Sequence, residues 1–266
     1  MTAETLLFLV GSLAFTTVQS QSPEMVTARL PIAKYVSATS NAPIKKRVES
    51  IGVDVTAKSA VVIDLASGEV LFSKDSDTAY PIASLTKLIS VSTLLDQKLD
   101  LDEKIAITKA DAGYARAIFF QGETFTRREL IKAMLVGSSN EAANALARTS
   151  PGGYDAFIAK MRVKARDMGM RRAEFYDAAG LDPRNKATAQ DIAFALKAAM
   201  NYPEVREVMG MQSVDLKNTI GPKPYRVTAT NLLLTSELNK GEYKIIAAKT
   251  GTLPESGFCF AQATKE

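Results

Sequence analysis

A serine and a lysine three residues apart are the first candidates for covalent chemistry in this sequence. The chain contains no histidine, which excludes Ser-His-Asp triads, Cys-His pairs, HExxH metalloproteases and His-ligated zinc sites. A serine nucleophile then needs another base, and a neutral lysine amine is the usual substitute. The spacing of Ser84 and Lys87 brings two helical side chains to one face. Ser84 is therefore a candidate nucleophile and Lys87 a candidate base.

This pair stands at the start of an apolar helical pattern. Free backbone N–H groups and the helix dipole at that end favour a developing alkoxide or oxyanion. Composition alone produces about one Ser-x-x-Lys in such a chain. A helix-capping Ser84 followed by a surface Lys87 is the alternative interpretation.

A second polar group, Ser138-Ser139-Asn140, stands at the predicted junction between two helices. Ser138 and Asn140 could act beside the serine–lysine pair. The alternative is a capping box formed by Ser138 and Glu141, with Asn140 only supporting the turn. Taken alone, the motif favours this structural alternative.

A third motif, Lys249-Thr250-Gly251, ends an apolar strand pattern. Strand alternation puts Lys249 and Gly251 on one side, where glycine lets another backbone approach closely. Lys249 could hold an anion, and its charge would help keep Lys87 neutral. The alternative is a solvent-facing lysine before a turn. Chance produces Lys-Thr-Gly roughly one time in ten and Ser-x-Asn about half the time, so the ordered conjunction of all three motifs is the strong signal.

The surrounding pattern predicts the elements that position these motifs. Residues 59–74 read as a β-hairpin, and residues 84–97 have helical spacing of apolar positions. Further helices are predicted from the Thr126 and Glu129 capping box to Gly137, and over 140–148, 154–168 and 188–200. Strands return at 243–250 and 258–263. We expect a single sheet whose first and last strands meet, with the helices as a cap beside it.

Composition narrows the function classes. The chain has 266 residues, 46% of them hydrophobic, and a net charge of +4. Cys259 is the single cysteine, so neither an internal disulfide nor a cysteine-based metal cluster can form. No aromatic–basic pattern supports nucleic-acid binding. The basic run at 45–47 could touch anionic lipid, although a solvated segment is the simpler interpretation.

The N-terminus resembles an export signal. Residues 6–15 form an apolar run too short to span a bilayer, and small residues follow it. We predict a signal peptide at residues 1–20, a linker and lead-in at 21–58, and a catalytic domain at 59–266 whose helical part covers about 84–210. One feature disagrees, because no basic residue precedes Arg29. A misassigned start is the alternative.

Over residues 59–264 the chain resembles the penicillin-recognising serine D,D-peptidases, in particular the low-mass D-alanyl-D-alanine carboxypeptidase family. Beyond the three motifs, the resemblance rests on residues 80–87, 122–130, 138–143, 151–157, 168–170 and 180–183. The segment 151–154 looks most like the endopeptidase branch. The resemblance implies an α+β fold of the β-lactamase/transpeptidase type, with an antiparallel sheet flanked by helices and an inserted helical subdomain.

The resemblance also implies a mechanism. Ser84 would attack the carbonyl of the penultimate D-alanine in a peptidoglycan stem peptide or cross-link. Lys87 would take the proton, Ser138 would relay one to the leaving amine, and Asn140 would orient Lys87 and the substrate. The carboxylate of the substrate, or of an inhibiting β-lactam, would be received at Lys249-Thr250-Gly251. The N–H groups of Ser84 and Thr252 would form the oxyanion hole. Neither metal nor organic cofactor is implied, and the protein would act outside the cytoplasm.

Two alternatives stay open. In this family another core strand and a helix follow the strand after Lys-Thr-Gly, whereas this sequence stops at Glu266, so we expect a fragment with an unpaired sheet edge. An inactive module that binds peptidoglycan or penicillin is therefore one alternative. A serine β-lactamase is the other, although the closest match to its Glu-x-x-x-Asn loop, at 237–239, comes too late in the chain.

Overall fold

The structure is a computed structural model that describes residues 43–45, 47, 49, 50, 52–113, 117–219 and 225–265. The predicted signal peptide at 1–20 and most of the predicted lead-in at 21–58 lie outside these residues. The helices of the described residues are α1 (Lys87–Asp96), α2 (Arg127–Val136), α3 (Asn140–Arg148), α4 (Gly153–Asp167), α5 (Ala189–Ala199) and α6 (Pro203–Val208). None of them is long and apolar enough to cross a lipid bilayer.

The strands pair antiparallel, two by two. They are β1 (Ala60–Ile63), β2 (Val70–Lys74), β3 (Tyr80–Pro81), β4 (Lys104–Ala106), β5 (Thr124–Thr126), β6 (Lys186–Ala187), β7 (Ser213–Leu216), β8 (Tyr225–Thr228), β9 (Lys244–Leu253) and β10 (Gly257–Lys265). The pairs are β1 with β2, β3 with β6, β4 with β5, β7 with β8, and β9 with β10.

The N-terminal and C-terminal hairpins are separate sheets in the described residues. The predicted hairpin at 59–74 is confirmed as β1 and β2, and the predicted C-terminal strands are confirmed as β9 and β10. No ladder joins the two hairpins, so the expectation of a single sheet whose first and last strands meet is wrong for these residues. Helix α5 contacts both β1 and β10, so one helix packs against both hairpins.

Helix α1 lies at the centre of the core, and all its residues from Lys87 to Leu94 are buried. Leu88, Ile89 and Val91 are completely buried, and the serines and the threonine between them are small enough to be buried as well. The helix contacts α2, α3, α4 and α5. Two of its buried hydroxyls are hydrogen-bonded, since Ser90 Oγ donates to the Ala178 carbonyl at 2.7 Å and Ser92 Oγ to the Leu88 carbonyl at 2.9 Å. The buried hydroxyl of Thr93 has no hydrogen-bond partner among the described residues.

Predicted helix starts agree with the structure where capping residues are present. Thr126 caps α2 by accepting the N–H of Glu129 at 3.2 Å. The reciprocal half of that capping box is missing, because the Glu129 carboxylate accepts the N–H of Lys217. Thr188 and Asp191 form a complete box at α5. The short pairs β3–β6, β4–β5 and β7–β8 were not predicted, since strands of two to four residues are too short to show alternation.

Candidate active site

Ser84 lies in a 3₁₀ turn, Ala83–Thr86, that leads directly into α1. The α-helix begins at Lys87, later than the predicted start, and Ser84 caps nothing with its side chain. In a 3₁₀ turn, positions three apart are eclipsed, and Ser84 Oγ lies 2.8 Å from Lys87 Nζ. Ala83 is held at φ +47°, a left-handed conformation that costs a non-glycine residue about 1–2 kcal/mol. This strained residue comes immediately before the candidate nucleophile.

Lys87 is completely buried, so the alternative of a surface lysine is wrong. Its Nζ lies 2.8 Å from Asn140 Oδ1 and 2.6 Å from the Ala179 carbonyl oxygen, in addition to the Ser84 hydroxyl. Burial lowers the pKa of Lys87 to about 7, against the opposing influence of the Asp177 and Glu141 carboxylates. A large fraction of this amine is therefore neutral near pH 7, with a lone pair that can accept a proton.

In the second motif, Ser139 caps a helix, whereas Ser138 and Asn140 contact the buried lysines. Ser139, not Ser138, is the N-cap of α3, accepting the N–H of Ala142 at 3.1 Å and donating to Glu141 Oε2 at 2.8 Å. The alternative capping box of Ser138 with Glu141 is therefore wrong. Ser138 instead has a left-handed backbone, at φ +58°. As the first residue of α3, Asn140 directs its amide oxygen to Lys87.

Strand β9 brings the third motif beside the other two. Lys249 is 1% exposed, which overturns the solvent-facing alternative, and its Nζ donates to Ser138 Oγ at 2.8 Å and to the Thr250 carbonyl at 2.8 Å. A Cβ at Gly251 would lie 2.9 Å from the backbone nitrogen of Ser84. As predicted, glycine at this position lets two backbones meet.

Both buried lysines have a lowered pKa, and desolvation by burial is the largest cause for each. Burial lowers the pKa of Lys249 well below its ordinary value, and the charge of Lys87 lowers it further. For Lys87, burial is the largest cause of the lowered pKa. Desolvation is therefore the main reason that this amine is neutral, and the predicted contribution of the Lys249 charge stays a prediction.

A cleft of about 1170 Å³ opens over these groups. Its lining among the described residues includes the predicted residues Ser84, Ser138, Asn140, Thr250, Gly251 and Thr252. Lys87 and Lys249 lie beneath this surface and reach it through their hydrogen bonds. The lining contains Arg226 but, among the described residues, no aspartate or glutamate. The cleft therefore suits a ligand that carries a carboxylate.

Sequence reasoning missed three contributors to this site. The Ala179 carbonyl accepts from Lys87, and the carboxylates of Asp177 and Glu141 raise its pKa. Two features of the sequence pointed to the loop that carries the Ala179 carbonyl. Residues 180–183 belong to the family resemblance, and an aspartate followed by two alanines and a glycine is typical of a side-chain-capped turn.

Comparisons with known proteins agree with this geometry. A family model described as D-alanyl-D-alanine carboxypeptidase matches residues 44–266. A D-alanyl-D-alanine endopeptidase of Pseudomonas aeruginosa is 32% identical over 238 residues, covering 88% of this chain and 74% of the relative. An Escherichia coli protein of the same name is 30% identical over 216 residues, covering 79% and 68%. The resemblance to the endopeptidase branch is thereby confirmed.

Solved structures with the same fold include two that cover most of this chain. A D-alanyl-D-alanine carboxypeptidase of Mycobacterium tuberculosis has a TM-score of 0.74 and 28% identity, covering 82% of each chain. A Streptomyces DD-transpeptidase has a TM-score of 0.74 and 26% identity, covering 80% of this chain and 87% of that one. The predicted α+β, transpeptidase-like fold is therefore confirmed.

Proposed function

Because the chain belongs to the D-alanyl-D-alanine carboxypeptidase family, we propose that it is a serine-type D-alanyl-D-alanine peptidase. It hydrolyses peptidoglycan stem peptides or cross-links through an acyl-enzyme on Ser84. The observation that carries this proposal is the contact of a cleft-lining serine hydroxyl with a buried lysine amine, at 2.8 Å. That amine has a pKa near 7, so it can act as a base where an exposed lysine cannot.

Acylation begins with transfer of the Ser84 hydroxyl proton to Lys87 Nζ. The oxygen forms a bond to the carbonyl carbon of the penultimate D-alanine, and the carbonyl oxygen takes the negative charge. The C–N bond to the terminal residue then breaks, and its amine receives a proton from the Lys87 ammonium through Ser138. Water, activated by the again neutral Lys87, hydrolyses the ester and restores the Ser84 hydroxyl. Asn140 holds Lys87 by accepting one of its N–H groups.

The remaining predicted residues bind the substrate. Lys249 and Thr250 receive the carboxylate of the substrate or of a β-lactam. Gly251 lets this part of β9 lie close to the backbone of Ser84. An arriving carboxylate favours the protonated form of Lys249, whose pKa burial has lowered. The N–H groups of Ser84 and Thr252 form the oxyanion hole, and each such donor is typically worth about 3–4 kcal/mol.

A stable penicilloyl-enzyme is expected from the same cleft. Rapid deacylation of a β-lactam in one major class of β-lactamase uses a loop glutamate as base. In the part of the chain that the structure describes, the cleft lining has no acidic side chain. Glu237, from the closest match to that loop, pairs with Lys240 at the surface. These observations favour a peptidase that β-lactams inhibit over a β-lactamase.

The proposed site of action is outside the cytoplasm, where peptidoglycan is found. The apolar run at 6–15 followed by small residues supports export. Contact of the basic residues at 45–47 with a membrane surface belongs to the same proposal.

The first experiment is intact-mass spectrometry after incubation with benzylpenicillin, with the drug in solution followed in parallel. The wild-type chain should gain one drug molecule, and Ser84→Ala should gain none. Ser67→Ala, at a serine in the turn between β1 and β2, is the matched control and should label like wild type. Labelling retained in Ser84→Ala would place the nucleophile elsewhere.

Two further outcomes separate the alternatives. Rapid loss of the drug without an adduct would indicate a β-lactamase. A stable adduct with neither release of D-alanine from a stem pentapeptide nor cleavage of a cross-linked dimer would indicate an inactive penicillin-binding module. Release of D-alanine, or cleavage of the dimer, alongside the adduct supports the proposed peptidase.

A further inference from the structure

The loop at residues 177–182, which precedes β6, turns around a single carboxylate, that of Asp177. Four consecutive backbone N–H groups donate to its two oxygens, at 2.5–3.0 Å, from Ala179, Gly180, Leu181 and Asp182. Among the described residues Asp177 takes part in none of the ion pairs. The carboxylate therefore organises the backbone of this loop and does not neutralise a cation directly.

Asn185 ties the same carboxylate to the segment that carries the nucleophile. Its Nδ2 lies 3.1 Å from Asp177 Oδ1 and 3.1 Å from Thr86 Oγ1, in the turn that contains Ser84. At Gly180, which has φ +82°, a Cβ would lie 1.9 Å from the Ala83 carbonyl oxygen. The loop thus lies directly against the backbone beside Ser84.

One group of this loop, the carbonyl of Ala179, contacts the site. It accepts from Lys87 Nζ at 2.6 Å. A neutral amine donates two hydrogens and has one lone pair. The Ala179 carbonyl and the Asn140 amide oxygen can only accept, so together they take both N–H groups. The lone pair is then left for the hydroxyl of Ser84.

We infer that Asp177 is a positioning residue for acylation, which by collecting the N–H groups of residues 179–182 holds the Ala179 carbonyl against Lys87 and so aims the lysine lone pair at Ser84. This inference rests on the proposed function. Asp177 acts through Ala179 and Lys87 and has no hydrogen bond to either catalytic side chain.

The charge of Asp177 has a second effect that can be measured separately. The charged groups that face Lys87 are Asp177 from this loop, Glu141 from α3 and Lys249 from β9. Asp177 and Glu141 raise the pKa of Lys87, and Asp177 is the stronger of the two. Replacing Asp177 by a neutral residue should therefore lower that pKa.

The test is the pH dependence of the acylation rate of Asp177→Asn with benzylpenicillin. Its amide keeps one acceptor oxygen but presents an NH₂ group to the loop N–H donors, so the plateau rate should fall about tenfold or more. The midpoint of the rise with pH should move to lower pH, since less negative charge favours the neutral amine. Asp167→Asn is the matched control, because Asp167 is an exposed aspartate at the end of α4 and lies outside this loop. It should leave both quantities unchanged.

Tyr154→Phe tests the positional effect without a change of charge. The Tyr154 hydroxyl accepts the N–H of Ala178 at 3.1 Å, one residue before the critical carbonyl. We expect a smaller fall in the plateau and an unmoved midpoint. If Asp177→Asn does not fold, Tyr154→Phe is the variant that tests the positional effect. A wild-type acylation rate in Tyr154→Phe would then overturn the inference.

Other outcomes are equally decisive. A wild-type profile for Asp177→Asn, or a lower plateau with an unmoved midpoint, would overturn the positioning role, because loss of structure alone does not move the midpoint. Failure of the wild-type chain to acylate would count against the proposed function. Normal acylation of wild type with an unaffected Asp177→Asn would count against this inference alone.

Discussion

At the level of single residues, the site depends on two lysines that are buried without an ion pair in the described part of the chain. Lys87 and Lys249 are 0% and 1% exposed, and their hydrogen-bond partners are neutral oxygen atoms. Removing an ammonium group from water disfavours its charged form. Burial therefore turns an ordinary side chain into a base that works near neutral pH.

The acylation rate of wild type by benzylpenicillin should rise with pH and level off above a midpoint of about 7, the pKa that burial gives Lys87. Below the midpoint the amine is protonated and has no lone pair for the Ser84 proton. The measurement is the second-order acylation rate over about pH 5 to 9. A profile that is flat or falls across this range would contradict a lysine base.

The same acylation assay tests the Lys87 side chain by substitution. Lys87→Ala should reduce the plateau rate by about 10²–10⁴-fold, the usual contribution of a general base. Lys98→Ala, a lysine just after α1, is the matched control and should retain the wild-type rate. A near-normal rate in Lys87→Ala would remove that residue as the base.

Lys249→Ala should weaken turnover of ligands that carry a carboxylate more than turnover of a neutral ester. Loss of a buried charge partner for an anion typically costs about tenfold or more. The measurement compares kcat/KM for a D-alanine-terminated peptide and for its methyl ester. Lys240→Ala, a surface lysine paired with Glu237, is the control. Equal losses on both substrates would contradict a carboxylate-binding role.

At the level of elements, the site forms where the ends of three segments meet. The 3₁₀ turn before α1 carries Ser84, the start of α3 carries Asn140, and β9 carries Lys249. Strand β9 contacts the 3₁₀ turn directly. Two non-glycine residues with left-handed backbones, Ala83 and Ser138, lie at these junctions. Such strain persists only where the surrounding packing holds it.

Gly251→Ala should disrupt this junction. Its new Cβ would lie 2.9 Å from the Ser84 nitrogen, closer than real contacts allow, and that neighbour is backbone that cannot swing away. We expect an acylation rate lower by about tenfold or more, measured by penicillin labelling. Gly241→Ala has open space around it and should label normally. Wild-type labelling of Gly251→Ala would show that β9 can move away from the turn without loss.

At the level of the whole molecule, one hydrophobic core supports every part of the site. Residues of α1 through α6 and of β4 through β10 share the larger of two buried clusters in the described residues, with α1 in its middle. Helix α5 contacts both β1 and β10. The outer edge of β10 has no strand partner among the described residues. Phe258 and Phe260 on this strand are 93% and 47% exposed.

Local patterns were sufficient for much of this architecture. The hairpin at 59–74, helix α3 with its bounds 140–148, and the two C-terminal strands follow from periodicity and capping residues. Short-range chemistry decides these features, because their hydrogen bonds and apolar faces are encoded within about 15 residues. The separation of the two hairpins depends on long-range packing, which such patterns do not contain.

The sequence by itself determined which residues could react, since the absence of histidine left a serine–lysine pair and three motifs in a recognisable order. Only the tertiary structure decided what state those residues are in. The pKa of Lys87 depends on complete burial, and its lone-pair direction depends on Ala179, 92 positions away in sequence. Burial and non-local hydrogen bonds arise from packing of distant segments, so spacing along the chain cannot reveal them.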